Sequence, residues 1–156
     1  VKQIHWQLND LGLYSLSSNY FVIWNLESKM KTFEYKPAYR LEGGFIVDQE
    51  DKYIYLASDD GFIHAVYNGQ VTQEIKLPQE DRCSCLQIFP TNGALLCGTV
   101  RGSIYVIKTP LSNSSSGIFH YLAHSARVTQ VCRCFSFFEL SFFIKNYRLL
   151  WHFTNL

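Results

Sequence analysis

Residues 94–110 read ALLCGTVRGSIYVIKTP, and residues 55–69 read YLASDDGFIHAVYNG. In both, a glycine interrupts alternating apolar residues. Leu95, Cys97 and Thr99 on one side of Gly102, and Ile104 and Val106 on the other, keep the period of two that marks a half-buried strand. Glycine takes the positive φ of a tight turn without steric cost, so the pattern predicts a hairpin. Tyr53, Tyr55 and Ala57, then Gly61, then Ile63 and Ala65 repeat that grammar 41 residues earlier.

Aligning the two glycines brings Ile63 onto Ile104, Ala65 onto Val106 and Val66 onto Ile107 at an offset of 41. LYSLSSNYFVIWNL (13–26) enters the same frame at an offset of 42, with Trp24-Asn25 where Val66-Tyr67 and Ile107-Lys108 stand. Each hairpin is preceded by a strand and turn (4–12, 44–52, 85–93) and followed by a short strand (29–36, 70–77, 118–124). Four strands in about 41 residues, with no helical pattern, is the signature of a β-propeller blade. The expected fold is therefore all-β, a partial propeller over 1–132. Its blades run over about 1–36, 37–78 and 79–124, and the first strand of a fourth is RVTQVC (127–132). Propellers close with about 4–8 blades. Three, on a chain opening with Val1, read as a fragment with open edges.

Residues 133–156 break the pattern. They hold no Gly and no Pro, and are crowded with phenylalanine. Three readings stand: out-of-family sequence, such as a mispredicted exon or intron read-through; a divergent cap; or a membrane span. Arg133, Glu139, Lys145 and Arg148 interrupt the run of about 20 apolar residues that a span needs. Phe138, Phe142 and Lys145 fall at helical spacing. The expectation is a non-propeller tail that supplies no further strand to the fourth blade.

Composition restricts function. At 47% hydrophobic, 16% aromatic and 17% charged, the chain suits sheets packed on both faces. A net charge of +1 gives no reason to expect nucleic acid or an anionic membrane as partner. With no secretory signal pattern, the five cysteines read as reduced thiols.

Candidate chemistry is sparse. His120 and His124 in HYLAH would share a helix face, but on a strand they lie about 13 Å apart, too far to share a metal. CSC (83–85) and CRC (132–134) lack zinc or redox spacing, and Cys83 and Cys85 are expected on one strand face. Asn113-Ser114-Ser115 matches a glycosylation acceptor by composition within a serine-rich loop. Asp59-Asp60 fill a turn. No phosphate loop, nucleophile elbow or paired carboxylates appear, so neither catalytic residues nor cofactor, metal or small-molecule substrate is expected. Propeller function lies in loops. Asn19, Asp59, Asp60 and Arg101 between second and third strands, with Gln79, Glu80, Asp81, Arg82, His124 and Arg127 between blades, are expected on one face that binds protein.

FVIWNLES with Trp24, the DDG and VRG turns, and LAHSARVTQV resemble the WD-repeat family. The family's tetrad of turn Asp, loop His, strand Ser/Thr and strand Trp is complete in no blade, since Val66 and Ile107 replace Trp and Ala123 replaces the Gly before the loop histidine. IHWQLNDLGLYSLSSN…FVIWNLESK, LLCGTVRGSIYVIKTPL and YLAHSARVTQV further resemble the second propeller of large WD-repeat cilia- and flagella-associated proteins, which carry a coiled coil absent here. That resemblance implies a non-catalytic scaffold of the cytoskeleton, in the cilium or flagellum axoneme, that helps place inner-arm dynein on doublet microtubules. Two other classes stand beside it: a cytosolic WD-repeat adaptor without a ciliary role, and a propeller-based enzyme, which would need converging polar groups at the central channel.

Overall fold

A computed structural model describes residues 1–9, 11–89, 93–111, 117–133, 139–144 and 147–152, those from 132 onward as backbone only. The repeat becomes three antiparallel sheets of four strands, each in sequential order. Sheet one holds β1 (Gln3–Trp6), β2 (Gly12–Leu16), β3 (Phe21–Asn25) and β4 (Met30–Tyr35). Sheet two holds β5 (Phe45–Val47), β6 (Tyr53–Ala57), β7 (Phe62–Tyr67) and β8 (Gln70–Lys76). A single turn of 3-10 helix at Pro78–Glu80 leads to sheet three, β9 (Cys83–Phe89), β10 (Ala94–Thr99), β11 (Ser103–Lys108) and β12 (Ile118–Leu122). The hairpin frame holds: Leu96 faces Val106 and Leu56 faces His64 across the central pairs, and Gly102 and Gly61 turn at φ of 90° and 87°.

The offset of 41 also assigns faces. Ile63 and Ala65 pack toward sheet three, and their counterparts Ile104 and Val106 pack toward the sheet beyond. Val66 packs back on sheet one, and Ile107 packs back on sheet two. Each interior sheet is thus apolar on both faces, as the composition requires. Between sheets one and two lie Tyr14, Leu16, Phe21, Phe45, Ile54 and Leu56; between two and three lie Tyr55, Ile63, Leu95, Tyr105 and Ile107. Burying each such side chain contributes about 1.5–3 kcal/mol. The first strands meet near the propeller axis, where β9 packs against β5.

Two of the outer strand pairs carry a bulge at the same place in the repeat. Register slips between Ile23 and Trp24 in sheet one, and between Ala65 and Val66 in sheet two. The extra residue is a threonine each time. Thr32 donates its hydroxyl to Ile23 O at 3.3 Å and Thr72 donates to Ala65 O at 3.2 Å, so the side chain ties the bulge to the facing strand. Sheet three shows no slip between β11 and β12. A different bulge, between β9 and β10, corrects the expectation for the CSC stretch. Cys85 faces Gly98 while Cys83 faces Thr99, and the extra Ser84 rotates the strand. Cys83 therefore joins Cys97 between sheets two and three, and Cys85 packs on the opposite side.

The tail also differs from its expectation. β13 (Gln130–Arg133) is followed by β14 (Glu139–Ile144) and β15 (Tyr147–His152), and the three form a fourth antiparallel sheet. Gln130 faces Phe143 and Phe142 faces Leu149, so Phe142 lies on a strand; Phe138 and Lys145, the other members of the helical spacing, lie outside the described residues. Aromatic and branched residues favour strands, and an unpaired β13 offers them a partner. Among the described residues the fourth sheet has three strands where the others have four. It packs on sheet three through β9 and β10, with Val128 and Val131 against Leu96, Ile104 and Val106. Among the described residues no sheet packs on the outer side of sheet one, where Ile4 is 56% exposed and Trp6 is 59% exposed.

Candidate functional site

In a four-stranded meander, the turn between second and third strands and the exit of the fourth lie at the same end. All the loops named from the sequence therefore gather on one face, and hydrogen bonds stitch them into a rim. Leu41 N donates to Ser18 O at 2.7 Å. Asp59 N donates to Arg40 O at 2.8 Å, and Arg40 N donates to Asp59 Oδ1 at 3.1 Å. Leu77 N donates to Gly61 O at 2.8 Å, and Val100 N donates to Arg82 O at 3.0 Å. Arg101 Nη1 donates to Gln79 O at 3.0 Å. His124 N donates to Gly102 O at 3.0 Å, and Val128 N donates to Thr99 O at 2.9 Å.

The ten residues named from the sequence differ in what they present. Asn19, Gln79, Glu80, Arg82, Arg101 and Arg127 are exposed, and Asp59 and Asp60 are half-buried in their turn. Gln79 and Glu80 adopt left-handed φ of 58° and 53°, a cost that the Arg101 bond to Gln79 O helps to offset. Asp81 corrects the expectation. It is 2% exposed, and its Oδ1 accepts from Arg82 N at 2.8 Å, so it holds the loop rather than meeting a partner. His124 is half-buried, and burial holds its imidazole below the usual range. Arg40 belongs to this face and was not singled out, because it sits in a stretch that reads as a connector.

Near the axis, a cleft of about 300 Å³ opens between sheets one, two and three. Its polar groups are occupied by the fold. The Gln3 side chain imitates a strand: its Nε2 donates to Phe45 O at 2.8 Å and its Oε1 accepts from Phe45 N at 3.0 Å. Lys2 pairs with Glu42, whose carboxyl is lowered chiefly by that hydrogen bond. Ser84 hydrogen-bonds to Val128 O, and burial pushes the Cys85 thiol up to about 11, away from reactive thiolate.

A second polar chain crosses sheet two on the side facing sheet one. Ser58 Oγ lies 3.0 Å from His64 Nε2, and His64 Nδ1 lies 2.9 Å from Glu74 Oε1. The order of groups is that of a nucleophile relay. Its surroundings are not. Ser58 is 1% exposed and also bonded to Asp60, while Phe62 and Tyr35 lie against the His64 ring. No substrate reaches the hydroxyl, and the chain acts as a polar clasp. His120 bonds to Ser103 at 3.0 Å and stacks on Tyr105. Among the described residues, no three His, Cys, Asp or Glu are placed to hold a metal, and no helix is long and apolar enough to cross a membrane. Trp24 Nε1 donates to Ser15 Oγ at 2.8 Å across β3 and β2.

No known family model matches this chain, and no curated protein matches it.

Proposed function

We propose that the chain is a non-catalytic protein–protein interaction scaffold on a WD-repeat-type propeller. It works in the cilium or flagellum axoneme and contacts inner-arm dynein or doublet-microtubule components. The observation that carries the scaffold reading is the stitched loop face, where Asn19, Arg40, Gln79, Glu80, Arg82, Arg101 and Arg127 stand exposed on one rim of interlocked backbone. Rigid loops with mixed charge suit a protein partner better than a substrate. The Trp24–Ser15 hydrogen bond supports the WD-repeat reading, because it is the strand-to-strand half of that family's tetrad. The axonemal assignment rests on the resemblance of the strings at 4–29, 95–111 and 121–131. The buried Ser58 and the occupied polar groups of the axial cleft support a non-catalytic role.

The test is co-sedimentation with salt-washed axonemes, using the chain and an Arg82→Glu/Arg127→Glu variant. Wild-type chain should pellet, and the variant should stay largely in the supernatant. Equal pelleting would remove the loop face from the reading. Failure of both to pellet, with capture of a soluble cytosolic protein that the variant loses, would favour an adaptor without ciliary role.

A further inference from the structure

The second and third hairpins are built alike and charged differently. In each, the turn between second and third strands donates a backbone N–H to the arginine that enters its sheet: Asp59 N to Arg40 O at 2.8 Å, and Val100 N to Arg82 O at 3.0 Å. Arg40 and Arg82 each precede a buried residue, Leu41 and Cys83, and Arg127 repeats the pattern before buried Val128. At the second hairpin the charge is balanced within the fold. The turn carries Asp59 and Asp60, and Arg40 Nε lies 3.5 Å from Glu42 Oε1. At the third hairpin the offset of 41 puts Val100 and Arg101 where those aspartates stand. The next blade entry closes on the same turn from the other side: Val128 N donates to Thr99 O at 2.9 Å, and a Cβ on Gly102 would stand 2.8 Å from Ala126 O. Arg82, Arg101 and Arg127 therefore surround one turn. All are exposed, and among the described residues none forms an ion pair. Asp81 is 2% exposed and accepts from the Arg82 backbone, so it is no carboxylate partner for the Arg82 side chain.

We propose that the turn between β10 and β11 is the docking point for an acidic segment of a partner protein, whose carboxylates are held by the guanidinium groups of Arg82, Arg101 and Arg127. The inference rests on the scaffold reading of the loop face; it adds which part of that face makes the contact and what chemistry it takes. Each guanidinium is a planar fork of donors that matches a carboxylate in bidentate fashion. The turn is pinned by backbone bonds on both sides, so these cations are presented without the cost of ordering a loop. Because the cluster encircles a single turn, a short segment bearing a few carboxylates satisfies it. A nucleic acid strand fits less well: Asp59, Asp60 and exposed Glu80 lie on the same rim and repel a continuous run of phosphates.

The experiment is fluorescence anisotropy of a labelled hexaglutamate peptide titrated with the full chain, beside a hexaglutamine peptide and a short single-stranded DNA. Hexaglutamate should bind, hexaglutamine should not, and added salt should weaken the binding. Arg82→Gln, Arg101→Gln and Arg127→Gln should each weaken it about fivefold, the effect of losing one exposed charge pair, with unchanged far-ultraviolet dichroism. Arg40→Gln removes a charge from the same face, but one already set against Glu42 and Asp59, and should change binding by less than about twofold. Absence of hexaglutamate binding, an Arg40→Gln loss as large as the other three, or tighter binding of the DNA would each overturn the proposal. Axoneme pelleting that needs Arg82 and Arg127, from a chain that does not bind hexaglutamate, would overturn it and leave the scaffold reading standing. Hexaglutamate binding with the expected pattern, by a chain that does not pellet, would uphold it and remove the axonemal reading alone.

Discussion

Three glycines with nearly the same backbone and different surroundings allow the turn geometry to be tested against itself. Gly69, Gly61 and Gly102 have φ of 70°, 87° and 90°. Replacing any of them with alanine places a side chain in the left-handed or adjoining region, at about 1–2 kcal/mol. At Gly69 nothing is added to that, because the nearest atom to a new Cβ is Phe33 Cδ2 at 3.6 Å. At Gly61 the Cβ would stand 2.6 Å from Asp81 O, so the loop entering sheet three must shift. At Gly102 it would stand 2.1 Å from His124 O and 2.8 Å from Ala126 O. Both contacts are backbone carbonyls and cannot swing aside. Moving them endangers the bonds from Ala123 N and His124 N to Gly102 O, worth about 1 kcal/mol each. The expected costs are about 1–2 kcal/mol for Gly69→Ala and about 3–4 kcal/mol for Gly102→Ala, with Gly61→Ala between them. Urea denaturation with a common slope reads the series. A Gly102→Ala variant no less stable than Gly69→Ala would refute the close approach of the third hairpin to the loop beyond it.

Trp24→Phe and Ser15→Ala should each cost about 1 kcal/mol through loss of one hydrogen bond, and the double variant should cost less than their sum; full additivity in a double-mutant cycle would mean the bond contributes nothing. Ser58→Ala should cost about 1–3 kcal/mol in the same urea assay, because it leaves the His64 nitrogen buried without that partner, while Glu74→Gln, at a half-exposed position, should cost less. Burial holds the Cys85 thiol at about 11 and the Tyr14 and Tyr55 hydroxyls at about 12. Above pH about 9 the unfolded chain sheds protons that the folded chain keeps, so the urea midpoint should fall steadily from there toward pH 12. Burial of His124 acts on the other flank: below pH about 6.5 the unfolded chain gains a proton that the folded chain resists, and the midpoint should fall again. A midpoint that rises between pH 9 and 11 would contradict the alkaline assignment.

Regular repetition is what made the fold readable. Gly61 and Gly102 set the frame, and the offset of 41 then carried even the facing of Ile63, Ala65 and Val66 onto Ile104, Val106 and Ile107. The loop face was readable too, since it follows from strand order alone. Irregularities hid the rest. An unbulged hairpin around Asn68-Gly69 would set His64 opposite Gln73; the extra Thr72 moves it opposite Glu74, and with it the clasp to Ser58. Ser84 likewise separates two cysteines that plain alternation puts together. Asp81 reads like its charged neighbours, and nothing in the sequence pattern shows that its carbonyl packs closely over Gly61 or that it is buried. In the tail, the helical spacing that included Phe142 lost to the strand preference of aromatics and to the waiting edge of β13.

The doubly apolar character of sheet two bears on how the molecule opens. In a linear stack, each layer gains stability from the neighbours it touches, so a layer held on both sides opens only when one neighbour has already left. Among the described residues sheet two lies between two such neighbours, whereas sheet one packs on sheet two alone and leaves Ile4 and Trp6 in contact with water. Backbone amides of β6 and β7 should therefore exchange hydrogen for deuterium last, at rates set by global unfolding, while those of β2 and β3 exchange through a smaller local opening. The hydrogen-bond ladders of the two sheets are alike on paper, so the difference in exchange reports the layer next door rather than the strand itself.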